Sequence, residues 1–174
     1  ELQQHQRSQS MLPDKAQLTV VVGRDMRSSS PALFKAVTET LVELGAHVIA
    51  PGLVSTPTFY YAVFSGGYDT GIQITASHNP KQYNGLKIVI NPKNGGLIKV
   101  GKPTGMEDIK KMAVEGVTVD PKGIGRITKI DGVGEDEVQN ALKIMGHPKL
   151  NSYKVVADAA NAMGALYIEK LYQH

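Results

Sequence analysis

Apolar residues recur along this chain in two rhythms. Leu18 to Val22 is a continuous run ending at Gly23, the pattern of a strand buried on both faces. After Ser28-Ser29-Ser30-Pro31, residues Leu33, Phe34, Val37, Leu41 and Leu44 fall on one face of a helix. Ser30 is the expected N-cap, Pro31 the first helical residue and Gly45 the stop. His47 to Ala50 reads as a second strand. Thr56-Pro57 opens a second helix bearing Phe59, Tyr60, Val63 and Phe64, and Gly66-Gly67 ends it. Ile72 to Thr75 and Leu86 to Ile90 read as the third and fourth strands. A turn cluster, Asn91 to Gly96, follows. Thr104 is the expected cap of a helix reaching about Glu115. A strand is predicted near Arg126 to Ile130, and a helix over Glu135 to Met145, closed by Gly146-His147-Pro148. Residues 1 to 16 read as the tail of a helix or a loop.

This order of elements predicts an α/β fold: a three-layer α/β/α arrangement around a mixed, mostly parallel sheet. The tight loop between the third and fourth strands predicts one antiparallel pair. After Pro148 the pattern restarts. Tyr153 to Ala157 reads as a fresh strand and a helix follows from about Gly164. Residues 1–149 are thus expected to form one domain, and residues 150–174 to open a second.

Composition narrows the function classes. The chain has no cysteine, which excludes disulfides, thiolate metal sites and thiol catalysis, and fits a reducing, cytoplasmic setting. The net charge is +3, and the lysines are spread along the chain rather than stacked in a stripe. With three Phe and no Trp, this argues against a nucleic-acid interface. A small anionic ligand fits the mild basic excess equally well. No apolar run approaches a membrane span.

The unusual stretch is Thr75-Ala76-Ser77-His78-Asn79-Pro80. A hairpin needs only a few turn residues, yet this one carries Ser77, His78, Asn79 and Asn84, with Lys87 on the return strand. By spacing alone Ser77 is simplest as a turn serine. As a nucleophile it would need a base. His78 is adjacent in sequence, and neighbouring side chains on an extended loop diverge. The G-x-S-x-G elbow is absent. Phosphate suits the loop better: it follows a strand, its amides could form a nest, and Lys81 and Lys87 are close in sequence. Arg24 and Arg27 follow the first strand. If the first and third strands are neighbours, these loops meet at the edge where open α/β sheets bind ligands. A solvated loop with local ion pairs is the plainer account of Arg24-Asp25-x-Arg27. No His or carboxylate cluster has metal-ligand spacing.

Together these stretches resemble the α-D-phosphohexomutases, which include phosphomannomutases and phosphoglucomutases. Thr75 to Pro80 with Tyr83-Asn84-Gly85-Leu86-Lys87 is similar to that family's phosphoserine loop. Gly23-Arg24-Asp25-Met26-Arg27-Ser28-Ser29-Ser30-Pro31 is similar to its G-R-D-x-R-x-S-S-P, Thr56-Pro57 to its T-P helix start, and Val156 to Asn161 to the opening of its second domain. The resemblance implies four α/β domains around one cleft, of which this chain matches the first and the beginning of the second. It implies that Ser77 carries a phosphoryl group, that Lys87 is a general base or charge stabiliser, that His78 lies on the same path, and that Arg27 orders the serine loop. It also implies Mg2+ bound through the phosphoserine, and interconversion of hexose 1-phosphate and 6-phosphate through a bisphosphate. The D-G-D-G-D-R metal loop, the sugar loop and the phosphate clamp of the family have no counterpart in these 174 residues, so the chain alone is expected to be inactive. Asn161-Ala162-Met163-Gly164 departs from the family, which commonly has glycine after the asparagine. A non-catalytic phosphate-binding or assembly module is the alternative. The preferred sugar and the oligomeric state are not readable.

Overall fold

The first strand among the described residues sits in the middle of the sheet. The computed structural model describes residues 17–121, 123–149 and 151–173; the expectation for residues 1 to 16 lies outside them. Among the described residues six strands, β1 (Thr19–Arg24), β2 (His47–Leu53), β3 (Thr70–Ile74), β4 (Leu86–Ile90), β5 (Ile98–Lys99) and β6 (Arg126–Lys129), form one sheet in the order β5-β4-β3-β1-β2-β6. β1 is parallel to both β2 and β3, and β2 to β6, while β4 is antiparallel to β3 and to β5. The mixed, mostly parallel α/β architecture is as expected. The two-residue β5 was not legible: it is too short to carry a period.

Helices cover both faces. Along β1 the side chains alternate between two cores. Val20 and Val22 pack with Ile74 beneath Phe34, Val37 and Leu41 of α1 (Ser30–Glu43). Val21 packs on the other face with Phe59 and Val63 of α2 (Thr56–Ser65) and Val133 of α4 (Val133–Ile144). Leu33 and Leu44 lie at the margin of the α1 stripe, each more than a third exposed. α2 lies unusually close to β3, because position 71 is glycine. A Cβ there would come within 2.5 Å of Val63 Cγ2 and 2.6 Å of a Phe59 ring carbon.

Several boundaries differ from the sequence expectation. Ser29, not Ser30, precedes α1, and its side chain makes no capping bond. The Ser30 hydroxyl instead donates to Asp25 Oδ1 at 2.6 Å. Ser55 rather than Thr56 caps α2, accepting from the Thr58 amide at 3.2 Å. Residues Lys102–Thr104 form a 3-10 turn, so α3 starts at Met106 and runs to Glu115. The strand expected over Tyr153 to Ala157 is not formed. Tyr153, Val155 and Val156 are exposed. β-Branched residues favour a strand only where a neighbouring strand takes up the backbone hydrogen bonds, and among the described residues this stretch has none. The chain resumes regular structure at α5 (Ala165–Tyr172), which packs against α4.

Candidate active site

β1 has β2 on one side and β3 on the other. The β1–β2 connection runs through α1 and the β2–β3 connection through α2, on opposite faces. The carboxyl ends of β1 and β3 therefore flank a topological switch point, where open α/β sheets hold ligands. The loops leaving these two strands are Asp25 to Ser29 and Thr75 to Gly85, and a cavity of about 650 Å³ opens between them. Asp25, Arg27, Ser77, His78 and Lys81 line one side. Ser55 to Pro57, at the start of α2, and residues 160–163 line the other.

Arg27 organises this end of the sheet. A guanidinium has five N–H donors in a fixed fork, and here all five are engaged. Nε donates to Asp25 Oδ2 at 3.1 Å. Nη1 donates to the carbonyls of Pro80 (2.8 Å) and Tyr83 (3.1 Å). Nη2 donates to the carbonyls of Ser77 (2.9 Å) and Asn79 (2.7 Å). Asp25, only 8% exposed, orients the fork in turn: its Oδ1 accepts from the Arg27 amide (3.1 Å) and the Ser30 hydroxyl. Asn84 adds a second tie, donating to the hydroxyls of Ser29 and Ser30 at 2.9 Å each. The serine loop is thus fastened to the β1–α1 loop by carbonyl groups of four of its residues.

That fastening holds Ser77 in a left-handed conformation, φ 55°, which a residue with a Cβ rarely adopts. Its amide donates to Thr75 Oγ1 at 2.9 Å. The turned backbone brings neighbouring side chains together: Ser77 Oγ lies 3.1 Å from His78 Nδ1. The expected divergence of these two side chains assumed an extended loop, and the positive φ overturns it. Both residues are exposed at the cavity. Among the described residues no carboxylate meets the other ring nitrogen of His78, so a hydrolase-type triad is not assembled.

Lys87 pairs with Gln73 across β3 and β4, and Val89 pairs with Gly71. Residues 87 and 89 therefore share the α2 face of the sheet, the face on which Ser55 and Thr75 stand. Lys87 is half-buried and lies outside the cavity lining. Arg24 stays within its own loop, donating to the Asp25 carbonyl at 3.2 Å. No group of three His, Asp or Glu able to hold a metal occurs among the described residues, and Asp25 is already committed to Arg27 and Ser30. The donor set present does not form a divalent-cation site.

By spacing alone, Arg24-Asp25-x-Arg27 reads as a solvated loop with local ion pairs. An ion pair two residues apart looks local. Nothing in its spacing shows that the same guanidinium reaches a loop fifty residues further on. Tyr167 was not singled out at all. Its hydroxyl accepts from the Ser55 amide at 2.8 Å, beside the cavity.

Comparison with known proteins gives the family. Residues 5–115 match the family model described as phosphoglucomutase/phosphomannomutase, alpha/beta/alpha domain I. A phosphomannomutase of Vibrio cholerae is 33% identical over 156 residues, covering 90% of this chain and 33% of that protein. A phosphoglucosamine/phosphogalactosamine mutase of Sulfurisphaera tokodaii is 35% identical over 156 residues, covering 84% of this chain and 32% of its own length. Among solved structures, a phosphoglucomutase/phosphomannomutase family protein from Burkholderia thailandensis superposes with a TM-score of 0.66 at 30% identity, over 90% of this chain and 33% of that one. The chain spans about a third of the length of these relatives. No helix among the described residues is long and apolar enough to cross a membrane. The chain belongs to the phosphoglucomutase/phosphomannomutase family and carries its α/β/α domain I.

Proposed function

We propose that Ser77 is the phosphoryl carrier of a phosphohexomutase. The phosphoserine donates its phosphoryl group to a hydroxyl of a hexose phosphate and takes one back from the other end of the resulting bisphosphate. The net reaction interconverts the 1-phosphate and the 6-phosphate of mannose or glucose. The observation that carries this reading is the strained Ser77 turn at the switch point, in a loop held by four of the five side-chain donors of Arg27. Phosphoryl transfer depends mostly on positioning and on charge stabilisation, and a nucleophile on a loop fastened at four carbonyls is positioned in advance.

Each residue then has a defined part. When the phosphoryl group arrives at Ser77 Oγ, the hydroxyl proton passes to His78 Nδ1, its hydrogen-bond partner. Arg27 is a positioning residue, because its donors are taken up by the loop and by Asp25 and none is free for substrate. Lys81, on the cavity wall, supplies positive charge for the anion. Lys87 is assigned to the sugar hydroxyl, as base or charge partner, from the α2 face. Mg2+ belongs to this proposal only as a counter-ion of the phosphoserine. The described residues offer no carboxylate set for it, and no step above depends on it. Turnover is assigned to a longer protein, since the chain supplies about a third of its relatives' length.

The alternative, a phosphate-binding or assembly module without transfer, predicts no covalent phosphate. The test is intact-mass analysis of the longer protein after incubation with glucose 1,6-bisphosphate, with peptide mapping. A gain of one phosphate at Ser77, absent in Ser77→Ala, is expected. An unmodified chain that nevertheless binds the bisphosphate would refute the carrier role and favour the binding module.

A further inference from the structure

Residues 160–163 form part of the cavity wall, yet they are remote in sequence from every other wall residue. The helix that follows them, α5, is tied to the site by one phenol. Tyr167 Oη accepts from the Ser55 amide (2.8 Å) and lies 2.6 Å from Thr58 Oγ1. Thr58 Oγ1 is also bonded to Glu137 Oε2 and lies 2.8 Å from Ser55 Oγ. Thr58 is fully buried and has one hydroxyl proton. The Glu137 carboxylate, an acceptor only, takes that proton. Tyr167 O–H and Ser55 O–H must then both donate to Thr58 Oγ1. Every proton in the cluster has one assignment, and the assignment closes only with the Tyr167 hydroxyl present. A second, weaker tie is the Lys170–Glu135 ion pair at 3.8 Å. The Tyr167 ring itself packs beside Gly134, where a Cβ would come within 3.3 Å of it.

We infer that residues 158–173 are a strap latched by the Tyr167 hydroxyl onto the cap of α2, and that docking of the strap and filling of the Ser77 cavity favour one another. Ser55 is the shared part. Its amide holds the latch, its hydroxyl caps α2, and the residue itself lines the cavity. A ligand that touches both walls binds the docked form more tightly, and by linkage must shift the strap toward docking. Tyr167 is a positioning residue in this scheme. The linkage rests on the reading of the cavity as a sugar-phosphate site, whereas the latch does not.

Hydrogen exchange of the 174-residue chain separates the two. Without ligand, Tyr167→Phe keeps the ring and removes the bonds. It should speed exchange across 158–168 by about tenfold, the factor that roughly 1.4 kcal/mol gives, with β1 and β3 unchanged. Thr58→Val should do the same, and the double variant should be no worse than either single one. Equal exchange in wild type and Tyr167→Phe would overturn the latch, as would a rise spread evenly over the sheet. With millimolar glucose 1,6-bisphosphate, protection of both the 75–85 loop and 160–163 is expected, and Tyr167→Phe should need several-fold more ligand for the same loop protection. Protection of the loop without the strap would overturn the linkage and leave the site reading standing. Protection of neither, in a chain that passes the ligand-free arm, would overturn the site reading and the linkage with it.

Discussion

Replacing Arg27 by methionine removes five hydrogen bonds while keeping a long apolar stem. The four carbonyl bonds are made at the loop surface, where water can take over part of each. A net of about 0.5–1 kcal/mol per bond is appropriate there, which gives roughly 2–4 kcal/mol for the set. Asp25 loses its ion pair but keeps the Ser30 hydroxyl and a backbone amide, so its residual penalty is about 1 kcal/mol. Part of the total is recovered because the loop relaxes its strained turn at Ser77, worth about 1–2 kcal/mol. The balance is a loss of about 2–3 kcal/mol. Arg27→Lys keeps the charge beside Asp25 but has three donors on a point-like head, so it should lose about half as much. Urea unfolding followed by circular dichroism reads the global effect through the midpoint at unchanged slope. Exchange of the Asn79 and Tyr83 amides, bonded to the carbonyls of Ala76 and Pro80, reads the loop directly. These amides should exchange about 30- to 150-fold faster in Arg27→Met. A midpoint shift worth under about 0.5 kcal/mol, with loop exchange unchanged, would refute the claim that Arg27 fastens the loop.

Ser77→Gly should raise stability by about 1 kcal/mol, because glycine takes a positive φ without cost; thermal melting checks this, and a lower melting temperature would remove the strain argument. Gly71→Ala should destabilise by about 1–3 kcal/mol, since its methyl group meets Val63 and Phe59 in a packed core; an unchanged urea midpoint would show that α2 can shift away freely. His47 accepts from Arg126 Nη2 at Nδ1 (3.0 Å) and lies 2.8 Å from Thr128 Oγ1 through Nε2. Partial burial, and then the Arg126 charge, hold its pKa below the usual 6.5. The unfolded chain therefore binds the proton first. The stability His47 contributes is present above about pH 6.5 and is lost as pH falls through the lower folded value. Melting temperature should drop between pH 7.5 and 5.5 and drop less in His47→Gln; an equal drop in both would exclude this histidine.

The fold was readable where periodicity and caps agree. Pro31, Gly45, Pro57 and Gly66 bracket two helices whose apolar faces are separate in sequence, so α1 and α2 needed no tertiary information. The Ser77 loop was readable because its residue types exceed what a hairpin requires. What was hidden depends on distance in sequence. The Asp25–Arg27 pair has the spacing of an ordinary surface contact, and only the β1–β3 pairing carries it to Pro80 and Tyr83. The turn at Ser77 is imposed by those carbonyl contacts rather than by its own residue type, so its closeness to His78 could not be read locally. Tyr153 to Ala157 failed for the opposite reason: its residues favour a strand, but a strand is a property of two segments.

The central position of β1 has a consequence for the order in which the molecule is built. The strand at the middle of the sheet precedes both of its partners in the chain, one starting at residue 47 and the other at residue 70. A nascent chain therefore holds an apolar β1 with both edges open until two helical crossovers have emerged. Such non-local pairing is slow, because loop closure comes before the contacts that reward it. Arg27 cannot grip the Ser77 loop until β3 has docked, some fifty residues after the arginine itself was made. The Ser77 loop is then among the last parts of this end of the sheet to become ordered, and a variant that delays β1–β3 pairing would lengthen the lag before Ser77 is presented without altering the finished fold.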